Sequence, residues 1–274
     1  MGMKKDLEVL VIPDVHGRDF WREPVKEVLE NSDKHIIFLG DYNDPYSYEW
    51  KSTGIKCQEY CIEVFSDIIE LKKQYPNRIT LLIGNHDCGY ALSTDICTSR
   101  FDYRRSRDIG KLFSDNWTLF ELVKKMDIGG KPFIFSHAGL SKEFAEYAYP
   151  DEFEKGGSDM VIDILNNSLK VKDARLIRNL GIYSIFRGWD GKSFGSIVWS
   201  DIHEWFAGKC HGIDDSMQVV GHTQLQNDPI CINGVICDID VRKAFYVDNE
   251  GNIKHWDSDE VVLGIDELKK KLNG

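Results

Sequence analysis

The feature that most constrains this chain is a recurrence: short apolar runs that each stop at a turn carrying aspartate, asparagine or histidine. The clearest instance is Leu81-Leu82-Ile83, which halts at Gly84 and is followed at once by Asn85-His86-Asp87. The β-tolerant residues from Ile79 onward read as a buried strand, and the glycine permits a sharp turn at its carboxyl end. Open α/β sheets present their ligands at that edge. The design opens the chain, with Leu7 to Ile12 running into Pro13-Asp14-Val15-His16-Gly17. It returns where Ile36 to Leu39 meets Gly40-Asp41-Tyr42-Asn43-Asp44. It appears again where Phe133 to Phe135 meets Ser136-His137-Ala138-Gly139, and where Val219-Val220 meets Gly221-His222-Thr223. One polar turn after a strand is ordinary. The series predicts a site.

Between these strands the apolar spacing predicts helices. One begins near Phe20 and turns Val25, Val28 and Leu29 inward; a second runs from Ile55 to Tyr75 with apolar residues at 61, 64, 65, 68 and 71. Further helices are expected at Trp117 to Met126, Glu143 to Tyr149, Met160 to Leu169 and, closing the chain, Ile265 to Leu272. Gly156-Gly157-Ser158 reads as a flexible joint. Asp127 to Lys131 predicts a hairpin turn, as does Asp248 to Gly251, which separates the last expected strands, Ala244 to Val247 and Ile253 to Trp256; Val235 to Ile239 reads as another. With 274 residues and 42% hydrophobic content, the chain can bury a full core. A single α/β domain over 1–274 is expected, with residues 141–190 as an insertion beside the site, read as a lid.

A net charge of −11 argues against a nucleic-acid groove or an anionic membrane surface as partner, because both call for a basic face. It suits a site that gathers cations. No apolar run approaches the ~20 residues of a membrane span. Seven scattered cysteines without a Cys-x-x-Cys pair read as reduced thiols in a cytoplasmic protein. The sequence sets no oligomeric state.

Asp14, His16, Asp41, Asn85, His137 and His222 are oxygen and nitrogen ligands at the ends of expected strands, with no thiolate among them. Such a set suits two divalent ions, manganese first and otherwise iron, zinc or magnesium. Asp41, directly after its glycine, is placed to bridge the two ions. Paired ions would generate a hydroxide and neutralise the charge of a phosphoester. His86, oriented by Asp44, is placed to protonate the leaving group.

The motifs Asp14-Val15-His16-Gly17, Gly40-Asp41-x-x-Asp44, Gly84-Asn85-His86-Asp87, Ser136-His137-Ala138-Gly139 and Gly221-His222-Thr223 together resemble those of the calcineurin-like metallophosphoesterases, over about residues 9–223. Within that superfamily the chain looks most similar to the phosphoprotein phosphatase branch with its bacterial and phage members; Trp199-Ser200-Asp201 and Tyr103-Arg104-Arg105 resemble runs of that branch. The resemblance implies a β-sandwich flanked by helices, a four-layer αββα arrangement, with a dinuclear site and attack by a metal-bridging hydroxide. Matched by position, Asp14 and His16 would hold the first metal, Asp41 would bridge, and Asn85, His137 and His222 would hold the second. His86 and Asp44 match the catalytic pair.

Two departures stand out. Pro13 and Asp87 replace the commoner glycine before the first aspartate and glutamate after the third-motif histidine, and Pro45 replaces the arginine that usually binds substrate phosphate. Arg100, Arg104, Arg105 and Arg107 crowd together in an otherwise acidic chain. That cluster suits a phosphate clamp through bidentate hydrogen bonds, and equally a solvated helix face. Arg104, Arg105 and Arg107 are the expected replacements, ahead of Arg18 and Arg242. The function expected is hydrolysis of a phosphomonoester, on a small molecule or on phosphoserine or phosphothreonine in a protein. The alternatives are dinucleoside polyphosphate or cyclic nucleotide hydrolysis and, ranked below both, a lapsed metal-binding scaffold.

Overall fold

The computed structural model describes residues 4, 6–46, 57–92, 96, 98–188, 191–232 and 234–266. Strands β1 (Leu7–Ile12), β2 (His35–Phe38), β3 (Ile79–Leu82) and β4 (Phe120–Glu121) run parallel, in that order. On the other side of β1, β10 (Phe245–Asp248) and β11 (Ile253–His255) add antiparallel and complete a six-stranded sheet. A second sheet of five strands joins β5 (Val123–Ile128), β6 (Lys131–Ser136), β7 (Met217–Val220), β9 (Ile236–Asp238) and β8 (Ile230–Ile232) in that order. Here β6, β7 and β9 are parallel.

The unbroken apolar runs have a geometric cause: both faces of these strands are buried. Along β1, Val9 and Val11 share a cluster with Ile37, Leu39 and Leu82 and with Phe133, Phe135 and Val219 of the second sheet. Leu10 and Ile12, pointing the other way, pack with Ile36, Phe38, Trp21, Val25, Phe65 and Ile68. Trp21 precedes α1 (Arg22–Asn31), which supplies Val25, while Phe65 and Ile68 lie on α2 (Cys57–Gln74), so helices cover this outer face. The outer face of the second sheet is covered by α5 (Lys142–Ala148), α6 (Pro150–Lys170) and the short helix Ile202–Phe206: Ile134 packs with Phe144 and Leu165, and Val220 with Ile202 and Trp205. The protein is mixed α/β, two sheets flanked by helices.

Most elements fall where the sequence puts them. The hairpin between β5 and β6 turns at Gly129 and Gly130, with φ of 61° and 71°, the handedness a two-residue hairpin needs. Gly157 interrupts α6 at φ 60°, as its reading as a joint expects. One helix is overturned. Trp117 to Met126 forms a short 3-10 turn, Trp117–Leu119, and then β4 and the start of β5. Phe120 pairs with Leu81 on one sheet and Val123 with Ser136 on the other, so the segment crosses between sheets with Phe120, Leu122 and Val123 buried. Pairing partners distant in sequence override a helix-like local pattern. The expected closing helix, Ile265 to Leu272, lies mostly outside the described residues. The cysteine reading also needs correction: Cys231 and Cys237 stand opposite each other on β8 and β9 and are disulfide-bonded, while Cys61, Cys88 and Cys210 are buried. No helix among the described residues is long and apolar enough to cross a membrane.

Candidate active site

Parallel strands deliver their carboxyl ends to one edge, and the polar turns that follow β1, β2, β3, β6 and β7 converge there. Asp14, His16, Asp41, Asn85, His137 and His222 are all buried. Four residues of the site hold left-handed backbone, His16 at φ 43°, Asp41 at 51°, Asp44 at 60° and His222 at 74°. Non-glycine residues rarely stay there unless surrounding contacts fix them, and such strain gathers at functional sites. Two glycines of the motifs are explained by close approach. A Cβ on Gly84 would stand 2.1 Å from Asp41 Oδ1, and one on Gly221 2.3 Å from Asp14 Oδ1.

Hydrogen bonds set the imidazoles. His16 donates from Nδ1 to the Asn43 carbonyl at 2.7 Å, and His137 from Nδ1 to the Leu39 carbonyl at 2.9 Å. Each therefore turns a bare Nε2 inward, the arrangement that outer hydrogen bonds impose on metal-binding histidines. Both Nε2 atoms lie 3.6 Å from the same oxygen, Asp41 Oδ2. Asp41 is shared between two clusters that could each hold an ion, one with His16 and His86, the other with Asp14 and His137. Asn85 Oδ1 is 2.9 Å from both His137 Nε2 and His222 Nδ1, and those two nitrogens are 3.1 Å apart.

These residues fit divalent cations. Around Asn85 at most one hydrogen, on His222 Nδ1, serves three converging lone-pair atoms, and His222 Nε2 is then buried without a partner. The other tautomer leaves all three facing one another with none. Burial first, and the neighbouring charge of Asp14 second, push the Asp41 carboxyl well above the usual range. Burial likewise drives His16 and His222 well below theirs, which keeps both imidazoles neutral and able to ligate. A guanidinium stands among these acceptors: Arg100 Nη2 is 3.3 Å from His16 Nε2 and 3.2 Å from His86 Nε2.

His86 begins α3 (Asn85–Ala91) with its neighbour and donates from Nδ1 to Asp44 Oδ2 at 2.8 Å. The Asp44 carboxylate also accepts from the hydroxyls of Tyr90 and Thr98. Burial lowers the His86 pKa and Asp44 opposes that shift. His86 Nε2 is left facing a cavity of about 290 Å³ lined by His16, Asp41, Asn85, Arg100, Arg187 and His222, among others.

The expected arginines are not brought to this cavity. Asp102 Oδ1 accepts the backbone N–H groups of Arg104 and Arg105, which launches α4 (Ser106–Asp115) along the surface. Arg104 and Arg107 are exposed, and Arg105 pairs with Glu59 at 2.5 Å. The helix buries Ile109 and Phe113 instead, which leaves the arginines on its solvent side. Arg100 comes in their place. Its Nε donates to the Asp44 carbonyl at 2.9 Å, and its guanidinium lies over the Tyr46 ring at 3.6 Å. It belonged to the basic run, and its being the member nearest the third motif was the available signal. Arg187 carried none of its own. It is held 2.6 Å from Asp201, the aspartate of Trp199-Ser200-Asp201, and donates to Thr223 Oγ1 at 3.1 Å.

A family model described as calcineurin-like phosphoesterase matches residues 7–223. Among solved structures, a cold-active protein-tyrosine phosphatase of a psychrophilic Shewanella species aligns with a TM-score of 0.57 at 16% identity, over 94% of this chain and 81% of that one. A second structure titled as a cold-active protein tyrosine phosphatase gives 0.50 at 14% identity, over 91% and 78%. At these identities the likeness is one of fold.

Proposed function

Because the chain belongs to the calcineurin-like phosphoesterase family, and is a metal-dependent phosphoester hydrolase, we propose that it cleaves phosphomonoesters at a dinuclear centre. Asp14 and His16 would hold one ion, Asn85, His137 and His222 the other, and Asp41 both. When bound, such ions supply Lewis acidity, lowering the pKa of water and offsetting phosphoryl charge. Manganese is the first choice for the ligand chemistry, a mixed set of nitrogens and oxygens.

The chain's own groups do the rest. His86, its Nδ1–H held by Asp44, presents Nε2 to the cavity and carries the proton for the leaving oxygen. Arg100 and Arg187 bind the outward phosphoryl oxygens. A phosphoryl oxygen beside Arg100 would take the N–H now directed at His86 and leave Nε2 open to protonation.

The observation that carries the monoester reading is the presence of two guanidinium groups, Arg100 and Arg187, in one small cavity with the candidate ligands. A monoester dianion offers each an oxygen, whereas a diester has one charge fewer to match. The test is a panel with manganese: an aryl monoester, an aryl diester, phosphopeptides bearing serine, threonine or tyrosine phosphate, and diadenosine tetraphosphate. Monoester turnover well above diester turnover is expected. Preference for the diester or for diadenosine tetraphosphate would overturn the reading.

A further inference from the structure

Resting on that dinuclear reading, we infer that Asp87 is the positioning residue that aims the shared carboxylate of Asp41 and locks the second and third turns together. Asp87 is fully buried. Its Oδ2 accepts the backbone N–H groups of Asp41 at 2.8 Å and Gly84 at 2.9 Å, and its Oδ1 accepts that of Tyr42 at 3.1 Å. Successive N–H groups around a left-handed residue form a concave nest for an acceptor, and here the Asp87 carboxyl group fills it. Asp41, at φ 51°, is the strained residue of that nest. Without the carboxyl group, that strain loses one of its main supports and three buried N–H groups lose their acceptor.

The clamp is reciprocal. Asp41 Oδ1 accepts the N–H of His86 at 2.8 Å, so each turn supplies a carboxylate that binds the backbone of the other. With Oδ1 committed, Oδ2 is turned toward both His16 and His137, 3.6 Å from the Nε2 of each. Asp87 thereby sets both candidate clusters without belonging to either. An amide in its place accepts with one atom only, and its NH2 confronts a backbone donor. Glutamate keeps both acceptors.

The test titrates Mn²⁺ into the chelator-stripped full-length chain by calorimetry, with kcat and KM on an aryl phosphate alongside. Asp87→Asn is expected to weaken binding of both ions about 10- to 100-fold, as loss of outer-shell partners does, and to lower kcat with it. Asp87→Glu is expected to restore both. Asp248→Asn is the control, because Asp248 also accepts turn N–H groups, those of Glu250 and Asn252, far from the site. Unaltered Mn²⁺ affinity in Asp87→Asn, or the same loss in Asp248→Asn, would overturn the role given to Asp87 alone. A wild-type chain that takes up no pair of ions removes the dinuclear reading as well. A measurement on the wild type needs no variant to fold: the amides of Asp41, Tyr42 and Gly84 should exchange slowly in the metal-free chain, and fast exchange there would contradict the clamp.

Discussion

His86 and Arg100 compete for one position, and the competition separates their roles. A guanidinium that donates to Nε2 favours the neutral imidazole; an acid for the leaving group needs a proton there. Substrate phosphate, by drawing Arg100 away, would join the two events. General-acid catalysis typically contributes about 10² to 10⁴ in rate, so His86→Asn should lose that much on an alkyl phosphate and far less on an activated aryl phosphate. Equal losses on both esters would argue against proton donation. Arg100→Ala should lower kcat on monoesters by roughly 10²-fold, the scale of removing one oriented donor from a transition state. Arg105→Ala, engaged with Glu59 at the surface, should leave turnover near wild type. The reverse ranking would return the clamp to the surface run.

At the scale of elements, strand-end chemistry was legible because each ligand follows its strand by one to four residues and needs no long-range contact to be named. What stayed hidden depends on contacts distant in sequence. Arg187 reaches the cavity because Asp201 and Thr223 anchor it, and Trp117 to Met126 becomes strand only because both sheets offer it partners. Arg100 and Arg105 look alike in sequence; the turn that Asp102 closes between them sends one inward and the other outward. Two expectations belong to this scale. Gly157 sits at φ 60° and ψ −148°, a conformation other residues avoid, while a Cβ there would meet nothing closer than Asp214 at 3.5 Å. Gly157→Ala should therefore destabilise through backbone strain alone, by roughly 1–3 kcal/mol, read from denaturant melts. At the start of β2, burial first, then Lys124 and Lys72, hold His35 down to about 4, while Asn77 opposes and Arg78 adds to the shift. Neutral in the native state, it takes up a proton only on unfolding once pH falls below about 6.5, so its stabilising contribution is present above that pH and lost between 6.5 and 4. His35→Gln, which can keep the bond to Thr80, should flatten the decline of stability over that window; an unchanged slope would place the titration elsewhere.

Across the whole molecule, the candidate ligands divide between the two sheets. Asp14, Asp41 and Asn85 follow strands of the six-stranded sheet, and His137 and His222 follow strands of the other. The core between the sheets is apolar, and at this edge a metal pair would add to the hydrogen bonds that join them, His137 to the Leu39 carbonyl and the His222 N–H to Asp14 Oδ1. This edge carries Asp14 and Asp41 buried together, with the Asp41 carboxyl pushed up by burial and by its neighbour's charge, a pairing that destabilises the fold unless a cation offsets it. Ligand binding to the native state alone stabilises by mass action, about 2.7 kcal/mol at a hundredfold excess over Kd. For a chain of this length that is roughly 5–10 °C in thermal midpoint, at 2–4 °C per kcal/mol. Scanning calorimetry of wild type with chelator and with Mn²⁺ should show that interval. Asp41→Asn should invert the comparison. Its amide oxygen can still accept the His86 N–H, and the charge beside Asp14 is gone, so its metal-free midpoint should equal or exceed that of metal-free wild type. Its response to Mn²⁺ should shrink, because one substitution removes a ligand from both clusters. A wild-type midpoint indifferent to chelation, or an Asp41→Asn chain stabilised by Mn²⁺ as strongly as wild type, would show that the sheets are held without metal and that Asp41 is not shared.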